Sequence, residues 1–226
     1  MLVLKMQNIW WWEFPLAKMA KRCKQTMSKK IINHLKKVDP ILATVISQVP
    51  PFKRRQDADF YRALVESIVS QQLSIKAADT IFARFLKLFP HVNFPMPQQV
   101  REMDIEKIRS CGISYAKISY IKDLATKTQT GILKFDVIHK LSDEEIITHL
   151  TQVKGIGRWT AEMFLMFSLG RDDVFSYGDQ GLKNAIKKLY QLKSHPTLKQ
   201  AEKISSKWKP YRSWACRYLW ASLELE

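Results

Sequence analysis

The sequence predicts an all-α protein, and three observations carry that expectation. Only 7 glycines and 9 prolines are spread over 226 residues, whereas an all-β chain consumes both in its many turns. Apolar residues recur at helical spacing in segment after segment, and no period-2 alternation of useful length interrupts them. Serines suited to cap a helix stand ahead of several of those segments, at Ser74, Ser114 and Ser142. Hydrophobic residues make up 46% of the chain and aromatics 11%, enough to fill a core and to exclude intrinsic disorder. The length suits one large domain or two small lobes sharing a core.

Charge narrows the partner. Lys and Arg total 37 against 21 Asp and Glu, a net charge of +16. Such an excess points to a polyanion, nucleic acid before an anionic membrane, with a merely soluble basic protein as the bland alternative. Cys23, Cys111 and Cys216 are few, odd in number and far apart. They predict a reducing compartment with no disulfide framework and no metal-ligand spacing. No run approaches the roughly 20 apolar residues that span a bilayer, so membrane association is not required.

Residues 1–26 differ from the rest. Ile9-Trp10-Trp11-Trp12-Glu13-Phe14-Pro15-Leu16 is apolar but interrupted, and Lys18, Lys21, Arg22 and Lys24 follow it. A secretory signal has the opposite order. The segment reads as an extension ahead of a start at Met27-Ser28-Lys29-Lys30. Its rival is an interfacial or partner-binding arm using the tryptophans. A helical domain is expected over 27–226.

Within it, Ile31, Ile32, Leu35, Val38, Leu42, Val45 and Ile46 sit at helical spacing, with Pro40 dividing two short helices. Val49-Pro50-Pro51-Phe52 stops them, and Lys53-Arg54-Arg55 is a basic, solvated loop. A longer helix starts at Phe60. Gln71, Gln72, Leu73 and Ser74 form the turn to a helix over Ile75–Leu88 that Ser74 caps. That turn is an ordinary joint, or else a DNA-entering one in which Gln reads a base and Leu wedges a step. Residues 90–100 are expected as a loop, then helices over Val100–Ile108 and Tyr115–Thr128. Ser142 and Glu145 make a capping box for the next helix. Trp159–Leu169 follows with Gly170 as its C-cap, then Gln180–Tyr190, and finally Thr197–Leu225, broken at Pro210.

The most informative stretch is Leu150-Thr151-Gln152-Val153-Lys154-Gly155-Ile156-Gly157-Arg158-Trp159-Thr160-Ala161, followed downstream by Val174-Phe175-Ser176-Tyr177-Gly178-Asp179-Gln180. The first reads as helix, two-glycine turn, helix. Glycines permit positive φ and close approach, and a helix N-terminus aims N–H groups and the positive dipole end at an anion. Gly155, Ile156, Gly157, Arg158 and Thr160 are therefore the candidate phosphate grip. Asp179 supplies a carboxylate; its bland role is the N-cap of the following helix, which is compatible with chemistry.

With these residues in place, the chain resembles the helix-hairpin-helix-Gly/Pro-Asp superfamily of DNA glycosylases, above all the 3-methyladenine branch that excises alkylated bases. Ser67–Ala78, Cys111–Ala125, Leu150–Met166, Val174–Leu182 and Trp208–Trp220 carry the likeness, which covers the chain from about residue 30 onward. The resemblance implies two helical lobes flanking an active-site cleft, at approximately 54–140 and at 27–53 plus 141–226. It implies that Asp179 is catalytic, that Gln71–Ser74 wedges DNA, and that Trp220 lines the base pocket, with Met163 and Tyr177 nearby. Trp159 falls where strand-cutting members carry a Schiff-base lysine, so a monofunctional enzyme is expected. An alkali ion (Na+ or K+) on the backbone carbonyls of Thr151, Val153 and Ile156 is implied too. The iron–sulfur cluster of some relatives is not, because its four clustered cysteines are missing. Two departures stand out: Gly178 where a second acidic residue is common, and Met163 where an aromatic wall can stand.

The expected activity is hydrolysis of the N-glycosidic bond of alkylated purines, of the 3-methyladenine and 7-methylguanine type, flipped from damaged duplex DNA. No cofactor is expected for the chemistry. The protein is expected to be a monomer, cytoplasmic with the chromosome, or nuclear in a eukaryote. Two alternatives stay open: a glycosylase for uracil, hypoxanthine or oxidised bases, and a non-catalytic hairpin module that only grips phosphates.

Overall fold

The computed structural model describes residues 27–53, 57 and 59–225. The expected extension over 1–26, and Arg54 and Arg55 of the basic loop, lie outside them. Twelve α-helices and no strand occur among the described residues. The all-α expectation is met.

The chain divides into two compact units, one of Asp57–Phe164 and one joining the described residues up to Lys53 to those from Leu165 on. The sequence placed the second boundary near residue 140. It falls instead after Phe164, because the helix–turn–helix segment is hydrogen-bonded to Asp123 and lies against the Tyr120 ring, both on Tyr115–Gln129.

In the unit of Asp57–Phe164, α3 (Phe60–Ser70), α4 (Ile75–Lys87), α5 (Pro97–Glu102), α6 (Ile105–Ser110), α7 (Tyr115–Gln129) and α8 (Asp143–Leu150) precede α9, Arg158–Phe167, which carries the chain across the boundary. Helix α7 is the hub: α3, α5 and α6 all pack on it. It contributes Ile118, Ile121, Leu124 and Ala125 to the core. Ser74, Ser114 and Ser142 cap their helices as expected, each hydroxyl accepting a backbone N–H three residues on. The loop expected over 90–100 is shorter. Pro97 begins α5, where its missing N–H costs nothing. Asp104 then interrupts the expected 100–108 helix by accepting the Lys107 amide and starting α6.

In the other unit, α1 (Lys29–Val38) and α2 (Pro40–Gln48) meet at Pro40 as expected, and α10 (Gln180–Leu189), α11 (Leu198–Ser205) and α12 (Arg212–Ala221) follow. Helix α12 packs on both α2 and α10. Every residue from Ser213 to Trp220 is buried, Arg217 included, whose guanidinium donates to the Lys53 and Met166 carbonyls. The last expected helix ends up in three pieces, with a 3-10 turn at Ser206–Trp208 between α11 and α12.

One buried carboxylate ties this unit together. Asp39, 1% exposed, caps α2 by accepting the Ile41 and Leu42 amides on Oδ1 at 3.1 Å. Its Oδ2 accepts the Tyr190 hydroxyl at 2.5 Å and the Trp208 indole N–H at 2.9 Å. Burial, and then the hydrogen bond to Asp39 and its charge, push the Tyr190 phenol above its ordinary value. Asp39→Ala removes a cap and strands the buried Trp208 indole N–H and the half-buried Tyr190 hydroxyl, at about 1 kcal/mol for the cap, about 1–3 kcal/mol for the indole and about 1 kcal/mol for the hydroxyl. Urea unfolding is expected to show a loss of roughly 3–5 kcal/mol. A loss below about 1 kcal/mol would mean that water replaces these partners.

Candidate active site

Asp179 is reached through a stretch stitched to the start of α12. The Ser213 amide donates to the Asp172 carbonyl at 3.0 Å, and the Val174 amide donates to Ser213 Oγ at 2.9 Å. Trp214 Nε1 donates to Asp172 Oδ1 at 2.7 Å, and Arg212 pairs with Asp173 at 2.8 Å. The Asp179 amide then closes a turn onto the Ser176 carbonyl at 3.1 Å. The backbone entering α10 is thus held from behind.

The Asp179 carboxylate is 8% exposed. Its Oδ1 accepts the Leu182 amide at 2.7 Å, the N-cap bond expected from sequence, and also the Trp220 indole N–H at 2.9 Å. The Trp220 ring, itself 8% exposed, lies 5.9 Å from that of Phe167. A buried carboxylate at a helix N-terminus with two donors on one oxygen is fixed in direction. Such a group can stabilise developing positive charge and orient water. Tyr177 has a different setting. Its ring meets Phe175 edge-on at 4.8 Å. It lines a cavity of about 170 Å³ with Lys183, Ile186, Pro196 and Ala201, which neither Asp179 nor Trp220 borders.

The hairpin belongs to the other unit and is held from three sides. The Lys154 amide donates to Asp123 Oδ2 at 2.9 Å, while Lys127 Nζ binds Asp123 Oδ1 at 2.6 Å. Burial alone raises the Asp123 carboxyl, but these hydrogen bonds outweigh it and leave it below the usual carboxylate range. Gly155 sits at φ +76° directly on the Tyr120 ring, where a Cβ would overlap the aromatic carbons. Gln71 Nε2 donates to the Gly155 carbonyl at 3.0 Å.

The two expected glycine roles therefore separate. Gly155 is required by the fold, but Gly157 has an ordinary φ, and a methyl group added to it would meet nothing within 4 Å. Arg158 also differs from a simple phosphate cation. Its guanidinium, 58% exposed, forks onto both Glu144 oxygens at 2.5 and 3.0 Å and reaches Glu162 at 3.0 Å. The hydrogen bonds it donates to Glu144 lead in raising its pKa. What this turn offers an anion is the first backbone amides of α9, which have no intrahelical acceptors. Ile156 and Thr160 are buried and support the turn from below.

The Gln71–Ser74 turn is also built rather than slack. Lys117 Nζ donates to the carbonyls of Val69 and Gln71 at 2.8 and 2.6 Å, and burial lowers its pKa. Gln72 takes φ +56°, uncommon for a residue with a side chain, and is exposed. Leu73 is half-buried. Trp159 and Met163 lie one turn apart on α9, both half-buried. As for the alkali ion, the Val153 carbonyl accepts the Ile156 amide at 3.1 Å. That uses one of its two lone pairs, so an all-oxygen set of Thr151, Val153 and Ile156 carbonyls still fits a hard cation.

Comparison with known proteins identifies the family and the fold. Residues 65–210 match the family model of HhH-GPD superfamily base excision DNA repair proteins. The chain belongs to that superfamily. It is 39% identical over 185 residues to DNA-3-methyladenine glycosylase 1 of Schizosaccharomyces pombe, covering 81% of each protein. A crystal structure of a DNA-3-methyladenine glycosidase from Bacillus halodurans superposes with a TM-score of 0.78 at 35% identity, over 89% of this chain and 92% of that one. The Schizosaccharomyces pombe 3-methyladenine DNA glycosylase in complex with abasic DNA gives 0.74 at 38% identity, over 87% and 98%.

Asp123, Tyr120, Lys117 and Gly181 were not singled out from sequence. A glycine in the first turn of an expected helix was a usable signal for the last. The others act through partners far away in the chain and left none.

Proposed function

We propose that this HhH-GPD protein is a monofunctional DNA glycosylase of base excision repair that removes N-alkylated purines flipped out of damaged duplex DNA. The observation that carries the reading is the buried Asp179 carboxylate, aimed by two donors on a single oxygen. As the N-glycosidic bond breaks, positive charge builds on the sugar. A fixed carboxylate stabilises that charge and orients the attacking water. A cationic 3-methyladenine or 7-methylguanine leaves readily and is drawn to electron-rich rings, at roughly 0.5–2 kcal/mol each. Trp159 and Trp220 each supply an indole, and Met163 shapes the choice of base, whereas Tyr177, lining its own cavity, is left out of the base pocket.

The hairpin, Gly155 to Thr160, binds backbone phosphate through the first amides of α9. A Na+ or K+ ion on the carbonyls of Thr151, Val153 and Ile156 would add positive charge beside that phosphate. The exposed Gln72, held in its turn by Lys117 and flanked by Gln71, Leu73 and Ser74, fills the gap left by the extruded base. The +16 charge serves the duplex as a whole. Among the described residues no helix is long and apolar enough to cross a membrane. The protein works as a monomer on chromosomal DNA.

Strand cutting needs an amine that attacks C1′, and an indole at Trp159 cannot supply one. Incubation with a panel of duplexes carrying 3-methyladenine, 7-methylguanine, uracil, hypoxanthine or 8-oxoguanine is expected to release the methylated bases first, leaving intact abasic strands. Borohydride is expected to trap no covalent DNA adduct. Preferred release of uracil or an oxidised base, or a trapped adduct, overturns the corresponding part of the reading.

A further inference from the structure

Gly181 is the second residue of α10, a position at which alanine would favour the helix by about 0.5–1 kcal/mol. Its backbone does not need glycine, since its φ is not positive. The reason for glycine lies in the space above it. A Cβ there would stand 3.0 Å from Trp220 Cδ1, 3.1 Å from Trp220 Nε1 and 3.1 Å from Asp179 Oδ1. Those atoms are the two sides of the indole–carboxylate hydrogen bond. Neither has room to yield, for the indole is buried against Phe167 and Oδ1 is pinned by the Leu182 amide.

We infer that Trp220 and Gly181 are positioning residues for the Asp179 carboxylate. The indole N–H fixes its direction, and the missing Cβ leaves the gap in which that bond forms. The inference rests on Asp179 being the catalytic group of a glycosylase. It assigns the Trp220 N–H a role separate from that of the ring face: the face holds a base, while the N–H sets the angle of the acid. Both donors use Oδ1, which turns the carboxylate about its own axis into one orientation.

The test is a double-mutant cycle of Gly181→Ala and Trp220→Phe, read as single-turnover release of a methylated purine. A hydrogen bond to a charged group corresponds to a loss of roughly tenfold or more. Each single variant is expected to slow release about tenfold, and the double variant by about the same tenfold, because both remove one bond. Affinity for abasic duplex is expected to stay within about twofold, with only a small change of Tm in Gly181→Ala, where crowding by the Cβ opposes the gain from the better helix former. The Trp220 indole N–H signal in a ¹H–¹⁵N spectrum, assigned by its loss in Trp220→Phe, is expected to shift upfield in Gly181→Ala.

Losses that multiply to about a hundredfold, a parental rate in Gly181→Ala, or slower release matched by weaker duplex binding would each overturn the inference. If the parent protein released no base from any lesion, the glycosylase reading would fail. The indole signal would still decide the geometry, since an unchanged shift in Gly181→Ala contradicts it.

Discussion

Asp179→Asn is expected to slow single-turnover base release by roughly 10²–10³-fold, the scale at which a single preorganised electrostatic group acts. The substitution isolates charge from structure. An Asn oxygen can still accept the Leu182 amide and the Trp220 indole N–H, the two bonds that Oδ1 makes now. Asn is as good an N-cap as Asp, so Tm is expected to move little. Binding to abasic duplex should also persist, because the phosphate grip lies elsewhere in the chain. Release at the parental rate would remove Asp179 from the chemistry. A variant that failed to fold would show instead that the charge itself holds the first turn of α10, and circular dichroism separates the two outcomes.

Gly155→Ala is expected to cost at least about tenfold in affinity for abasic duplex. It is also expected to cost roughly 1–3 kcal/mol in stability. Two causes add: φ of +76° is strained for any residue with a Cβ, and that Cβ would meet the Tyr120 ring. The ring must move, and the Gly155 carbonyl moves with it, breaking the bond from Gln71. Gly157→Ala is the control. Its Cβ meets nothing within 4 Å in the protein, so stability should be parental, and a loss of affinity there reports contact with the nucleic acid. Fluorescence anisotropy and thermal melting measure both variants. Equal stability losses at the two glycines would contradict the distinction.

What could be read in the sequence was local. Caps act over three residues and helical faces over four, so Ser74, Ser114, Ser142 and Asp179 were placed correctly from their neighbours alone. The Arg158–Glu162 pair falls within the same reach, whereas Glu144 lies in the preceding helix, and only folding brings it to the guanidinium. The short helices α5 and α6 were blurred into one stretch, since the interrupting cap at Asp104 competes with a helical pattern that continues through it. The boundary between the units moved for a related reason. It depends on which helix the hairpin packs against, and periodicity does not encode that.

The sequence by itself determined an all-α chain, a strongly basic one, a glycine turn opening a helix, and one carboxylate capping the next. It also determined the superfamily, because those residues keep a fixed spacing. Tertiary structure alone decided what each polar group faces. It set Asp123 under the Lys154 amide, Tyr120 under Gly155, Glu144 beside Arg158, and the Trp220 indole on Asp179 across the gap that Gly181 leaves. The physical reason is range: hydrogen bonds and van der Waals contacts act over a few ångströms of space, and only the folded backbone makes residues distant in sequence neighbours at that scale.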